Sequence, residues 1–282
     1  VVLVRATDAI GMYTLGQEVA ERSRSELSAA AEAELERIIS AFTRTVDREA
    51  RLLTMIIERQ ADAATDLLNG ALPPTPTPPV YFEDAFLDPD HPQHDALSLS
   101  PSVHHGRLLD DGAVEPQLVS DEFAVLRLSS DADPDDPDVA RQIDALAHLQ
   151  PVYRELYNAF PERLLWLYTS LESGVHQSFP GKAGYPDEYD PRTRDWHQLT
   201  RESGRIQFFS PVADVTTGRS LVTVTAPLYD ADEAFLGVTA LDVPLQQVLD
   251  SQPLPNAWRD SVQVLLVTMT SMDGEADFWS LP

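Results

Sequence analysis

The chain contains no cysteine, which excludes disulfides and thiolate metal sites. It is almost free of lysine: Lys182 stands alone, so 19 of its 20 basic residues are arginine. Positive charge is scarce altogether. Against those 20 residues stand 46 Asp and Glu, for a net charge of -26. A phosphate backbone needs a basic surface, so nucleic acid is excluded as a partner, and an anionic membrane surface would repel the chain. No apolar run has the length to cross a bilayer, and no charged segment followed by an apolar core opens the sequence. The opening Val1-Val2-Leu3-Val4 reads either as the outer end of a membrane helix or as nothing at all. What is present is a chain of 282 residues, 43% hydrophobic, enough for a real core. Abundant acid with almost no lysine suggests a surface adapted to high salt, where screening relieves self-repulsion. A GC-rich genome favouring arginine codons is the alternative.

Residues 14–69 read as one long helix. Leu35, Ile38, Ile39, Phe42, Val46, Leu53, Ile56, Ile57, Ala64, Leu67 and Leu68 recur in steps of three and four, and Asn69-Gly70 gives a stop signal. Such a helix spans roughly 80 Å, so its early half should project as a stalk and its later half should pack. Residues 72–79 hold five prolines and cannot be helical. A polar loop is expected from there to about residue 119. Short strands are expected near 123–128, 164–171, 206–209, 220–228, 235–243 and 262–268. A helix should start at Asp136-Pro137, with Asp136 as N-cap, and run to about residue 158. Strands in hairpin order packed on long helices give an α+β fold with an antiparallel sheet.

The most informative stretch runs from Tyr185 to Asp242. It contains Tyr189-Asp190-Pro191-Arg192-Thr193-Arg194-Asp195-Trp196-His197, then Phe208-Phe209-Ser210-Pro211-Val212-Ala213-Asp214, then Thr217-Gly218, and closes on Gly237-Val238-Thr239-Ala240-Leu241-Asp242. In order and spacing this resembles the ligand-binding module of a double-Cache domain, the extracytoplasmic sensor of bacterial transmembrane receptors. The resemblance covers about residues 164–249. It implies a stalk helix over residues 1–70, a PAS-like membrane-distal module over 71–250, and the start of a reduced or incomplete membrane-proximal module over 251–282. It also implies a small-molecule ligand, a homodimer formed through the stalk, and a parent protein anchored in the inner membrane with this domain facing the periplasm or the extracellular side. Output in such receptors comes from a kinase, a chemotaxis transducer, a cyclase or a phosphatase. The run 168–186 looks most like phosphatase-linked or cyclase-linked members.

In amino-acid-binding relatives the positions matching Arg194 and Trp196 hold the ligand carboxylate. Those matching Tyr189, His197 and Asp242 hold or surround the amine. The chemistry suits this: arginine offers a planar fork for a carboxylate, and a buried Asp242 needs a cation or donors. With Asp214, these six residues form the expected ligand site. The chain departs from the family at Asp195 (usually Pro), at His197 (often Tyr) and at Val212, where an aromatic wall is lost. An organic acid or an amine therefore stands beside an amino acid as ligand.

Each residue has a plainer role open to it. Arg194 could clamp Asp190 or Asp195, Trp196 and Tyr189 could simply pack, Asp242 could cap a turn, and Asp214 could shape the turn to Gly218. His91, His94, His104 and His105 lie in polar surroundings and read as solvated, not metal-bound. Residues 131–142 lack the glycine and glutamate of a calcium loop. No nucleophile motif or phosphate loop is present, so neither a catalytic residue nor a cofactor is expected. A secreted hydrolase using His197 with Asp195 or Asp242, and a structural dimerisation stalk without ligand, are the rival readings.

Overall fold

A computed structural model of the chain describes residues 2–186, 188–245 and 247, with two strands at 265–269 and 276–280; of residues 2–18, Ser210 and those two strands only the backbone is described. Helix α1 (Val2–Leu68) starts well before residue 14 and runs 67 residues, roughly 100 Å. It closes where expected. Gly70 takes φ +90°, and the N–H groups of Gly70 and Ala71 bond the carbonyls of Leu67 and Asp66. From Val19 to Arg44 its described side chains are exposed or half-buried, Leu27 and Ile39 among the exposed. From Thr45 onward one stripe is buried: Thr45, Glu49, Leu53, Ile56, Ile57, Gln60, Ala63, Ala64 and Leu67. The packing stripe thus includes polar members that hydrophobic periodicity alone passes over. Glu49 is tied to Arg163 by an ion pair. Among the described residues no helix is long and apolar enough to cross a membrane.

A short helix α2 (Glu83–Leu87) follows the proline-rich segment. Residues expected to be loop then form a hairpin, β1 (Ser100–Leu108) with β2 (Val114–Val119). Its proline, glycine and histidines hide the strand pattern, though Asp111-Gly112 at the turn, with Gly112 at φ +82°, is a hairpin signal. Strand β3 (Val125–Leu128) leads to α3 (Pro137–Ala147), where the Asp136 carboxylate accepts from Asp138 N at 2.7 Å as N-cap. The expected single helix to residue 158 is in fact two. Pro151 lacks an N–H and its ring would clash with the carbonyl one turn back, so the chain restarts as α4 (Gln150–Ala159) with proline in its first turn.

The main sheet has the order β3-β5-β4-β8-β7-β6, antiparallel throughout, with β4 (Trp166–Leu171), β5 (Val175–Phe179), β6 (Gln207–Ala213), β7 (Ser220–Tyr229) and β8 (Phe235–Pro244). Helix α5 (Asp195–Ser203) lies between β5 and β6 in sequence. The fold is α+β, a long helix followed by an antiparallel sheet module. Strand alternation divides the sheet between two tasks. Leu167 and Leu171 of β4 and Leu241 and Val243 of β8 enter a core with α1, α3 and α4. Trp166 and Tyr168, with Ala240 and Asp242 opposite them, face the other way. That second face carries the site. Strands β9 (Leu265–Met269) and β10 (Ala276–Ser280) pair antiparallel. The remainder of the expected proximal-module segment lies outside the described residues.

A polar thread crosses the helix-side core. Gln60 Nε2 donates to Thr239 Oγ1 at 2.6 Å, Ala240 O at 3.0 Å and Tyr168 O at 3.2 Å. Thr239 Oγ1 meets Thr169 Oγ1 at 2.7 Å, and Tyr153 OH donates to Thr169 at 2.7 Å. Helix α1 is thereby bonded to β4 and β8 directly behind the residues of the second face. Because these groups are buried, Gln60→Ala should cost roughly 1–3 kcal/mol, read as a lower urea midpoint at unchanged m-value.

Candidate ligand-binding site

The second face of the sheet is roofed by the segment from β5 to α5. Gly181 anchors it: its N–H bonds Ser120 O and Phe123 O at 2.9 Å, and its carbonyl accepts from Ser120 N at 2.8 Å. A Cβ at Gly181 would lie 2.4 Å from Phe123 O, so only glycine allows this approach. Glu83 of α2 then accepts from Gly184 N and Tyr185 N at 3.1 Å, pairs with Arg127, and Arg127 Nη2 donates to Pro186 O at 3.0 Å. Farther on, Asp190 caps a 3-10 turn at Pro191–Thr193. Arg192 is clamped to Asp190 and Asp131 and donates to Glu172 O. The opening of α5 follows, with Asp195 in its first turn. A carboxylate there suits the helix dipole.

Between roof and sheet lies a cavity of about 60 Å³. Tyr189, Arg194, Trp196, Asp214 and Asp242 all line it. His197 does not. Successive helix residues point about 100° apart, so beside cavity-lining Trp196 it turns inward. There it is buried against Phe235, with Nδ1 3.9 Å from Glu172 and Nε2 without a hydrogen-bond partner. Its expected place in the ligand site is therefore corrected, and the hydrolase pairing with Asp195 or Asp242 loses its geometry. Burial, only partly offset by the Glu172 charge, lowers the His197 pKa.

The clamp role that the sequence left open to Arg194 falls instead to Arg192. Among the described residues Arg194 has no ion pair and no side-chain hydrogen bond, and it lines the cavity as an exposed guanidinium. Asp242 is held on the floor by two hydroxyls: Thr223 Oγ1 donates to its Oδ1 at 2.6 Å and Tyr168 OH at 3.2 Å. Asp214 has both a turn role and a wall role. Its Oδ2 accepts from Thr217 N at 2.9 Å, Thr217 Oγ1 at 2.6 Å and Trp166 Nε1 at 3.2 Å. Tyr189 stacks on Tyr185 with centroids 5.0 Å apart, and Trp196 meets Tyr168 edge-on at 5.3 Å.

Among the cavity residues that sequence reasoning missed are His176, Lys182 and Tyr185. His176 lies between Ser170 Oγ (2.7 Å) and Tyr185 OH (3.2 Å). Burial first, then the Lys182 and Arg127 charges, hold its pKa down to about 3, so it is neutral. Lys182 is buried, with its ammonium 3.9 Å from the Trp166 ring centroid and 4.6 Å from that of Tyr185. Its rarity as the only lysine was the one signal available. The histidines of the β1 region serve backbone carbonyls: His94 Nδ1 meets Ala85 O, His104 Nε2 meets Leu164 O and His105 Nε2 meets Leu165 O. Among the described residues no cluster of His, Asp and Glu could hold a metal ion.

Burial raises the Asp242 pKa to about 7. Asp214 adds to the rise, while Thr223, Lys182 and Tyr168 oppose it. Asp214 moves the other way: burial is outweighed by Lys182 and by the Thr217 and Trp166 bonds. Between the ordinary carboxylate value of 3.8 and about 7, native Asp242 keeps a proton that the unfolded chain has lost. Its contribution to stability therefore falls as pH rises through that window. Asp242→Asn should raise the melting temperature of the ligand-free protein more at pH 8 than at pH 4, a comparison in which the histidines cancel. It should also weaken binding of any ammonium ligand at pH 8.

Residues 151–250 match the family described as methyl-accepting chemotaxis protein-like, first PDC sensor domain. The methyl-accepting chemotaxis protein TlpB of Bacillus subtilis (strain 168) is 36% identical over 84 residues, 29% of this chain and 12% of its own length. McpC of the same organism is 31% identical over 78 residues, 26% of this chain and 12% of its own length. The chain thus spans about an eighth of the length of these curated relatives. Among solved structures, the ligand-binding domain of the Pseudomonas aeruginosa PAO1 amino acid chemoreceptor PctC, in complex with GABA, has 27% identity and a TM-score of 0.31, covering 41% of this chain and 48% of that one. The ligand-binding domain of Pseudomonas fluorescens chemoreceptor CtaA, in complex with L-serine, has 20% identity and a TM-score of 0.34, covering 51% and 55%.

Proposed function

We propose, with residues 151–250 being a Cache-type PDC sensor domain, that this chain is the extracytoplasmic ligand-sensing part of a membrane-anchored receptor. The matched family and relatives are sensors and receptors, not enzymes. The ligand is a small organic molecule bearing a carboxylate, an amine, or both. One observation carries this reading. Arg194, without an ion-pair partner among the described residues, and a desolvated Asp242 line the same aromatic-walled cavity, offering a fork for an acid group and an anion for an ammonium. The six residues proposed from sequence reduce to five at the ligand: Tyr189, Arg194, Trp196, Asp214 and Asp242.

Signal passes to the stalk because Gln60 of α1 is bonded to β4 and β8 behind the cavity. A ligand that prefers one arrangement of those strands shifts α1 by its differential affinity. The stretch of α1 from Val19 to Arg44, exposed or half-buried, is the surface on which a second copy would pair as a homodimer. The curated relatives favour a chemotaxis-type output over the phosphatase-linked or cyclase-linked output suggested by residues 168–186. The -26 charge supports a high-salt source. The test is a thermal-shift screen of the domain with amino acids, short carboxylic acids and amines. At least one class should raise the melting temperature in a saturable manner, and the absence of any response across all three would refute the sensor reading.

A further inference from the structure

Lys182 is the feature of the cavity that the five proposed ligand residues leave unexplained. It is only 4% exposed, yet its ammonium makes one hydrogen bond, to Thr216 Oγ1 at 2.6 Å. An ammonium has three donors, and burying it short of partners is costly. Among the described residues no carboxylate comes within ion-pair distance of it. Asp214, one of the nearby acids, has its Oδ2 occupied by Trp166 and Thr217. The ring faces of Trp166 and Tyr185 supply only part of the missing solvation. The position is built, not incidental. Gly181 is pinned to Ser120 and Phe123 on one side, and Thr216 is braced by Gln117 Nε2 on its carbonyl at 3.1 Å.

We infer that Lys182 is a specificity-determining residue that receives a second acid group of the ligand, so that the cavity prefers small amino-dicarboxylates to amino acids with an uncharged tail. The charges agree. Two basic side chains, Arg194 and Lys182, face the carboxylates of Asp214 and Asp242; burial lowers the Lys182 pKa, and the charges of Asp214 and Asp242 oppose that fall, as a further acid group would. A ligand with two carboxylates and one ammonium meets three of these four: one carboxylate on Arg194, the ammonium at Asp242, the second carboxylate on Lys182, while Asp214 keeps its bonds to Thr217 and Trp166. Cationic tails are repelled by Lys182.

This inference rests on the cavity being the ligand site, and the experiment separates the two. Calorimetric titration of the domain with L-aspartate and with its near-isostere L-asparagine should give a preference for L-aspartate of about tenfold or more, one charge-assisted hydrogen bond's worth. Lys182→Met should bring that ratio close to one, Lys182→Arg should keep most of it, and Arg194→Ala should weaken both compounds. A ratio that survives in Lys182→Met, or no preference in the unaltered protein, overturns the role of Lys182 and leaves the cavity reading standing. If neither compound binds while the thermal-shift screen finds another class that depends on Arg194, the amino-dicarboxylate inference falls and the cavity reading survives. If no class binds, both fall.

Discussion

Arg194→Ala should weaken ligand binding by about two orders of magnitude. A charge-assisted hydrogen bond is worth roughly 1.5–3 kcal/mol, about 10-fold to 150-fold in Kd, with the upper end for a planar two-bond fork. The loss should be close to the full value of the pair, because Arg194 has no ion-pair partner among the described residues to release. In a thermal-shift assay the effect is large. At a ligand concentration of 100 Kd, linkage stabilises the protein by about 2.7 kcal/mol; after a 100-fold loss of affinity about 0.4 kcal/mol remains. Without ligand, the variant should melt where the unaltered protein does. Arg192→Ala should behave in the opposite way. Removing the clamp to Asp131 and Asp190 lowers the melting temperature of the ligand-free protein, while a ligand-induced shift persists. A pair of adjacent arginines that failed to separate in this manner would contradict the division of labour between them.

Gly237→Ala should be among the most damaging single changes in the sheet. Gly237 lies in β8 opposite Leu171 of β4, with φ +156°. A Cβ there would come 2.3 Å from Ser170 O and 2.7 Å from Leu171 Cα, both backbone atoms of the neighbouring strand. Neither can rotate away, so the two central strands must part. Overpacking and backbone strain together amount to roughly 2–4 kcal/mol, a large share of a typical domain stability. The damage should reach the site as well, since Ser170 Oγ positions His176 behind Tyr185. Chemical denaturation would show a lower urea midpoint. A change below about 0.5 kcal/mol would mean that β4 and β8 are less closely apposed than the structure indicates.

The parts legible in the sequence are those set by local pattern. The later half of α1, the Asp136-Pro137 helix start and the alternating strands β7 and β8 follow from periodicity and capping. Tyr189, Arg194, Trp196 and Asp242, expected at the site from the family resemblance, gather at one cavity because a short turn, the opening of α5 and strand β8 place them. The parts not legible depend on distant partners. Which of Arg192 and Arg194 is the clamp was undecidable locally, because it turns on Asp131, some sixty residues away, closing on Arg192. Lys182 enters the cavity only because Gly181 is held to Ser120 and Phe123, neither of which advertises that contact. The family resemblance put His197 among the site residues, and helical geometry turns it away from the face that Trp196 presents to the cavity. The β1–β2 hairpin was masked by its own polar composition, and it matters to the site: His105 packs on Trp166 at 4.7 Å, and Arg219 Nη1 donates to His104 O at 3.0 Å.

The most direct measurement is a crystal structure of the domain with the tightest-binding compound from the ligand screen. The account predicts that compound between the roof segment 181–196 and the sheet, its acid group on the Arg194 guanidinium and any ammonium within hydrogen-bond distance of Asp242. Density for the compound elsewhere, with Arg194 turned onto Asp190 or Asp195, would contradict it.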